Sequence, residues 1–265
     1  EAIPVDSTGT IDLKAFQEML DERVAMVAVG HVSNALGTVN PVIEITRLAH
    51  AAGALVLIDG AQAVGHWPVD MQSLDCEFYV FSAHKLFGPT GVGALYGKRS
   101  LLEAMPPYQG GGEMIESVSF AGTTFNQLPY KFEAGTPNIA GVIGFGAAID
   151  YLNALDRAGA ARHENALLDY ARSKALAVSG LRLVGTADHK VSVLSFNLEG
   201  VHPADLGTLL DQQGVAVRTG SHCAQPIMDQ YGIPGTVRAS FSFYNNVDDV
   251  DRLFAALEKA RQFLV

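Results

Sequence analysis

The chain has 265 residues, 48% of them apolar and 17% charged, a balance that belongs to a core-rich globular protein and excludes a disordered one. Its 18 Lys and Arg against 28 Asp and Glu give a formal charge of −10, so the basic footprint of a nucleic-acid binder is missing, and no apolar run approaches the ~20 residues of a membrane span. Two cysteines, Cys76 and Cys223, exclude a disulfide scaffold and a cysteine-rich zinc module; a reducing compartment, the cytoplasm, is expected.

The first residues, Glu1-Ala2-Ile3-Pro4-Val5, show neither an initiator Met nor the basic-then-apolar start of a signal peptide. They read as the interior of a domain, and a fragment is expected. Helix and strand then alternate. Residues 14–22 carry Phe16, Met19 and Leu20 at helical spacing. Residues 24–29 form a continuous apolar run, the signature of a strand covered on both faces. Pro41 opens a helical pattern through Val42, Ile45, Leu48, Ala49 and Ala52, and Gly53 closes it, the usual asymmetry of Pro at the start and Gly past the end. Further buried strands are expected at 55–58, ending on Asp59, at 78–81, ending on Ser82, and at 92–96. Short buried strands separated by helices predict a mainly parallel α/β sheet between helices. Beyond Asn138 the texture changes: long helices at 142–155 and 164–178, strands at 191–196, 215–217 and 237–241, a helix at 205–212, and a last amphipathic helix from Val247 to Phe263. A domain boundary is expected within 156–164, dividing the chain into 1–157 and 158–265.

Polar residues collect just past the buried strands: Asn34 after the first, Asp59 and Gln62 after the second, Ser82, His84 and Lys85 after the third. Open α/β sheets bind ligands beyond the carboxyl ends of their strands. Singly, each residue has an ordinary explanation: a solvated loop for Lys85, a turn or helix cap for Asp59 beside Gly60, a surface amide for Gln62, a structural histidine for His84. Together they match what pyridoxal 5′-phosphate requires. That cofactor needs a lysine amine, partly desolvated, for its aldehyde. It also needs a carboxylate for its pyridinium nitrogen and neutral donors for its phenolate and phosphate.

The second cluster is Arg218-Thr219-Gly220-Ser221-His222-Cys223-Ala224-Gln225-Pro226. Only a few per cent of an ordinary cysteine is thiolate at neutral pH, and a Gly-containing loop with His222 beside Cys223 suits a nucleophile that swings in and changes protonation state. The alternatives are a buried structural cysteine and a His222 that points away from its neighbour. Arg238, among the strand residues of Thr236-Val237-Arg238-Ala239-Ser240-Phe241, fits either a bidentate carboxylate ligand or a salt bridge within the protein. Gly110-Gly111-Gly112 and the stretch Phe132 to Asn138 either admit a ligand close to the backbone or are plain turns. Cys76 reads as structural, and the remaining histidines show no metal-ligand spacing.

These motifs carry a resemblance. With His31-Val32-Ser33-Asn34-Ala35-Leu36-Gly37-Thr38, Asp59-Gly60-Ala61-Gln62-Ala63, Ser82-Ala83-His84-Lys85-Leu86-Phe87-Gly88-Pro89-Thr90-Gly91 and Arg238-Ala239-Ser240, the chain resembles the pyridoxal-phosphate-dependent cysteine desulfurases of the class V aminotransferase family. It is most similar to the second group, the Suf-type desulfurases and selenocysteine lyases. The pattern Arg-Thr-Gly-x-His-Cys-Ala separates that group from the first, whose catalytic loop is longer. The resemblance implies the type I aminotransferase fold with a smaller C-terminal α+β domain.

It also implies roles. Lys85 is the Schiff-base lysine, Asp59 the pyridinium partner and Gln62 the phenolate donor. Ser82 and His84 bind the phosphate, and Thr136 is a phosphate ligand lent by the second subunit of a homodimer. Arg238 with Asn34 holds the substrate carboxylate and the cofactor edge, and Cys223 is the nucleophile. The implied reaction converts L-cysteine to L-alanine and a Cys223 persulfide, which passes to a Suf-type acceptor protein for iron–sulfur cluster assembly. The alternatives are a lyase of L-selenocysteine, a non-catalytic fragment acting as an interaction module, and another class V activity, against which Cys223 argues. Family members carry an N-terminal region ahead of the position of Glu1. The expectation is that this chain lacks it and that the cofactor pocket is open on one face.

Overall fold

A computed structural model describes residues 1–264. The first sheet holds β1 (Met26–Gly30), β2 (Leu55–Asp59) and β3 (Phe78–Ser82) in parallel, with β4 (Gly93–Gly97) antiparallel at the edge, in spatial order β1-β2-β3-β4. Ahead of it stands α1 (Leu13–Met19), capped by Asp12, whose carboxylate accepts from the amides of Lys14 and Ala15. Between β1 and β2 runs α2 (Val42–Ala51), which buries Val42, Ile45, Leu48 and Ala49 along one stripe. That stripe packs with Val27, Val56, Ile58 and Tyr79 of the sheet and with Phe145 and Leu152 of α5 (Ile139–Asn153) in one apolar cluster.

The expectation that β1 is covered on both faces fails. Val27 is buried but Met26 and Ala28 are exposed, and Leu95 on β4 is 51% exposed. On β1 and β2 the buried residues face the α2 side and the alternate residues point away from it, while on β3 both Phe78 and Tyr79 are buried. A continuous apolar run therefore identified the strand but not the number of faces covered.

The second sheet is wholly antiparallel. It contains β7 (Leu181–Val184), β8 (Val193–Leu198), β9 (Arg218–Gly220) and β10 (Thr236–Ser240), in spatial order β7-β8-β10-β9. Three helices, α6 (Arg157–Ala177), α7 (Pro203–Asp211) and α9 (Val247–Leu264), supply Leu167, Leu168, Leu206, Leu210, Leu253 and Leu257 to a separate cluster with Leu194, Phe196 and Val237 of the sheet. The strand expected at 215–217 lies three residues later, as β9: Val215 and Val217 pack partly buried onto this core, while ladder pairing begins at Arg218. The hairpin β5 (Ile115–Ser119) and β6 (Gly122–Phe125), and the short α3 (Met71–Leu74), α4 (Arg99–Ala104) and α8 (Gln225–Tyr231), complete the fold.

Candidate functional site

The parallel register sets the first half of the site. Gly30 pairs with Asp59 and Asp59 with Val80, so the chain leaves β1, β2 and β3 at one edge, carrying His31, Asp59 and Ser82 with it. Asp59 then turns out of the sheet, its Oδ1 accepting from the Ala61 amide at 2.9 Å. Only glycine fits the next position: a Cβ at Gly60 would lie 2.0 Å from the Tyr79 ring. Tyr79 is fully buried, and its hydroxyl meets His31 Nδ1 at 3.0 Å. Burial pushes the Tyr79 hydroxyl up, with Cys76 and Asp59 adding to it, and burial pulls His31 down. Both groups are therefore neutral around pH 7, and the Tyr79 ring packs directly against Gly60.

Past Ser82 the chain makes one 3-10 turn over Ala83–Leu86. Three residues per turn point Ala83 and Leu86 the same way; both are buried, and His84 and Lys85 face solvent. The partly desolvated amine that the sequence asks of Lys85 is not found: the residue is exposed. The Gln62 loop abuts this turn, since a Cβ on Gly65 would come within 2.9 Å of the Lys85 carbonyl. Thr136 is exposed just ahead of α5. Two residues on, Asn138 caps that helix through the Gly141 amide and reaches the Gly91 carbonyl at 3.5 Å, which places the Thr136 segment beside the loop after Lys85. The two Gly-rich stretches meet, Gly135 N donating to Gly112 O at 2.9 Å.

The thiol lies on the second sheet. His222 and Cys223 have φ of 55° and 60°, the left-handed region that non-glycine residues rarely adopt. The turn sends the two side chains apart. His222 is 2% exposed, and its Nε2 meets Thr236 Oγ1 at 2.8 Å. Burial first, then the Arg238 and Arg218 cations, pull its pKa to about 4, so it is neutral at physiological pH. Cys223 faces solvent. Of the two readings offered for His222, the one in which it points away from Cys223 is found. The neighbour of the sulfur is Arg218, whose Nη2 lies 3.6 Å from Sγ.

Arg218 is the functional candidate that sequence reasoning passed over. The available signal was its place beside a second arginine: Arg238 and Arg218 are cross-strand partners on β10 and β9. Like charges so placed repel, and among the described residues neither has a carboxylate within salt-bridge distance. The internal salt bridge offered for Arg238 is thus not found. Its Nη1 donates to the Asn34 carbonyl at 2.6 Å, and its Nε is buried without a partner. Two unneutralised, cross-strand guanidiniums, one of them next to a thiol, form a receptor for an anionic ligand. Asn34 belongs to this half too: its side-chain amide donates to the His222 carbonyl.

Pyridoxal phosphate fits the donor set. Among the described residues the side chains of Gln62, Ser82, His84, Lys85 and Thr136 make no hydrogen bond, and Asp59 accepts only one, from its own turn. An amine, a carboxylate, an amide, a hydroxyl and an imidazole stay open around one sheet edge, and the Thr136 hydroxyl stays open ahead of α5. Cys76, by contrast, is buried, and burial pushes its thiol up.

A family model described as aminotransferase class-V matches residues 1–253. The chain is 51% identical over 263 residues to a cysteine desulfurase of Dickeya dadantii (strain 3937), covering 99% of this chain and 64% of that protein. It is 51% identical over 262 residues to a probable cysteine desulfurase of Vibrio cholerae, covering 99% and 65%. Among solved structures it is similar to the cysteine desulfurase CsdA of Escherichia coli in an S-sulfonic acid form, with a TM-score of 0.95 and 42% identity over 99% of this chain and 65% of that one. The apo cysteine desulfurase of Thermococcus onnurineus NA1 gives a TM-score of 0.95 and 37% identity, covering 100% and 66%. The chain spans 64–66% of the length of these relatives.

Proposed function

The chain belongs to the aminotransferase class-V family, and from that premise we propose that the whole protein is a cysteine desulfurase. The proposed reaction takes the sulfur of L-cysteine, releases L-alanine and leaves a persulfide on Cys223. One observation carries this reading. An exposed thiol stands 3.6 Å from the Arg218 guanidinium, whose cross-strand partner is Arg238, and neither arginine is neutralised by a carboxylate among the described residues. Other class V reactions have no use for that thiol.

The family's cofactor is pyridoxal 5′-phosphate, which when bound supplies an electron sink for negative charge at the substrate Cα. Asp59 would hold its pyridinium nitrogen, Gln62 its phenolate oxygen, Ser82 and His84 its phosphate, and Lys85 its aldehyde carbon. In the proposed mechanism Arg238 binds the substrate carboxylate bidentately. The Lys85 amine takes the Cα proton. Arg218, 3.6 Å from Sγ, orients Cys223, whose nucleophilic form is the thiolate. That thiolate attacks the substrate sulfur: an S–S bond forms, the Cβ–S bond breaks, and its electron pair stays on carbon, which takes a proton to become the alanine methyl group, while Lys85 returns a proton to Cα.

The same reading includes a homodimer in which Thr136 serves the partner's phosphate. An apolar stripe left exposed on α5 by Ile139, Val142 and Ile143 supports it. The division into 1–157 and 158–265 is supported by the two largest apolar clusters, whose fully buried members end at Leu152 in the first and start at Leu167 in the second. A Suf-type sulfur acceptor and a cytoplasmic location complete the proposal; an exposed free thiol suits a reducing compartment. The test is Cys223→Ala in the full-length enzyme. It should retain the cofactor's visible absorbance and lose alanine and persulfide formation from L-cysteine; normal turnover by that variant would sink the mechanism. Parallel assays with L-selenocysteine separate the lyase alternative.

A further inference from the structure

Four consecutive backbone carbonyls beyond β1 are held by groups from the C-terminal half. Arg238 Nη1 donates to Asn34 O at 2.6 Å, Ser195 Oγ to Ala35 O at 2.5 Å, Lys190 Nζ to Leu36 O at 2.5 Å, and Val191 N to Gly37 O at 2.9 Å. Packing leaves this segment no slack. A Cβ on Gly37 would lie 2.8 Å from that of Val193, and one on Gly185 would lie 2.7 Å from that of Leu36. Lys190 also donates to the Gly185 carbonyl, so its ammonium ties two chain segments together.

Lys190 is an expensive way to do this. Among the described residues it has no carboxylate within salt-bridge distance. Burial, and secondarily the Arg172 cation, pull its pKa down to about 8. A part-buried cation without a counter-charge opposes folding, and its visible return is the fixed position of the two carbonyls it grips. The gripped segment leads to the site: Asn34 donates its side-chain amide to the His222 carbonyl. That carbonyl precedes Cys223 in a turn whose own backbone bond is Ala224 N to Ser221 O at 2.9 Å.

We propose that Lys190, with Ser195 beside it, is a positioning residue: by holding the Leu36 and Ala35 carbonyls it fixes the Asn34 amide, which in turn holds the Cys223 turn against Arg218 and Arg238. The inference rests on the reading of Cys223 as the nucleophile. Its range of effect is set by geometry, since displacing a reacting group by about 1 Å costs up to ~10²-fold in rate.

The test uses Lys190→Met and Ser195→Ala in the full-length enzyme loaded with cofactor. Amide hydrogen exchange needs no turnover. The peptide covering 218–226 should exchange about tenfold faster in both variants, while peptides from α6 and α9 keep the wild-type rate. With L-cysteine, kcat should fall about tenfold while KM stays within about twofold, because Arg238 remains anchored on β10. A general loss of structure would speed exchange everywhere and would not divide kcat from KM. Unchanged exchange at 218–226, or faster exchange with unchanged kcat, overturns the proposal. Should Lys190→Met fail to fold by circular dichroism, Ser195→Ala decides alone. A wild-type enzyme that makes no alanine would remove the function, and the exchange arm would still decide the grip.

Discussion

Cys223 and His222 are adjacent in sequence and face opposite ways, and that single turn decides which neighbour acts on the thiol. Arg218 is that neighbour, so Arg218→Ala should slow formation of the Cys223 persulfide from L-cysteine by about tenfold, the worth of one charged hydrogen bond. Intact mass reads the added sulfur, and buried Cys76 gives little background. His222 makes a separate prediction. Its folded pKa, about 4, lies below the ordinary value of 6.5, so the unfolded chain binds more protons between those values. The stability that follows is complete above pH 6.5 and is lost as pH falls through 4. Its size is about 3 kcal/mol, and His31, also held down by burial, adds to it with the same sign. Thermal midpoints measured from pH 7 to pH 4 should therefore fall, and His222→Gln should fall less steeply. The residue types of the site were legible in the sequence, because Asp59, Lys85 and Arg238 interrupt apolar strands or end them. Their facing was not, since it depends on backbone angles such as the positive φ at His222.

At the scale of elements, the site depends on how each strand gives way to its loop. Gly60 lies over the Tyr79 ring, and any side chain there must displace either that ring or the backbone that carries Asp59. Overpacking of this kind costs about 1–3 kcal/mol. Gly60→Ala should lower the denaturation midpoint by a corresponding amount and weaken cofactor retention, measured by the absorbance left after dialysis; a variant matching wild type in both would show that Tyr79 moves freely. The strands that build this edge were readable because each is a short apolar run, and α2 because Pro41 and Gly53 bracket it. The hairpin β5–β6 was not readable. Its Glu116, Ser117, Ser119, Thr123 and Thr124 are exposed, so no burial pattern marks either strand. Nor was the exact place of β9, because Val215 and Val217 answer to the apolar core while the ladder answers to backbone pairing three residues on.

For the whole molecule, the sidedness of α5 is the feature to explain. Phe145 and Leu152 pack into the first core, while Ile139, Val142 and Ile143 stand 51–69% exposed on another face. Isolated exposed apolar residues are ordinary, but a contiguous helical stripe marks a surface that packs against something else. In the proposed homodimer a second copy covers it, and Thr136, three residues ahead of the helix, then stands where a partner's phosphate can reach it. Assembly and cofactor binding become one equilibrium, because a ligand held by both subunits stabilises only the assembled state. Ile143→Glu tests this cleanly, since a residue 69% exposed in the single chain tolerates the change without loss of fold. Light scattering should show a monomer, circular dichroism should show native helix content, and cofactor affinity should fall about tenfold or more through the lost partner ligand. Thr136→Ala should weaken the cofactor while leaving the dimer intact. A monomeric Ile143→Glu that binds cofactor as tightly as wild type would place the whole phosphate site within one subunit and detach Thr136 from it.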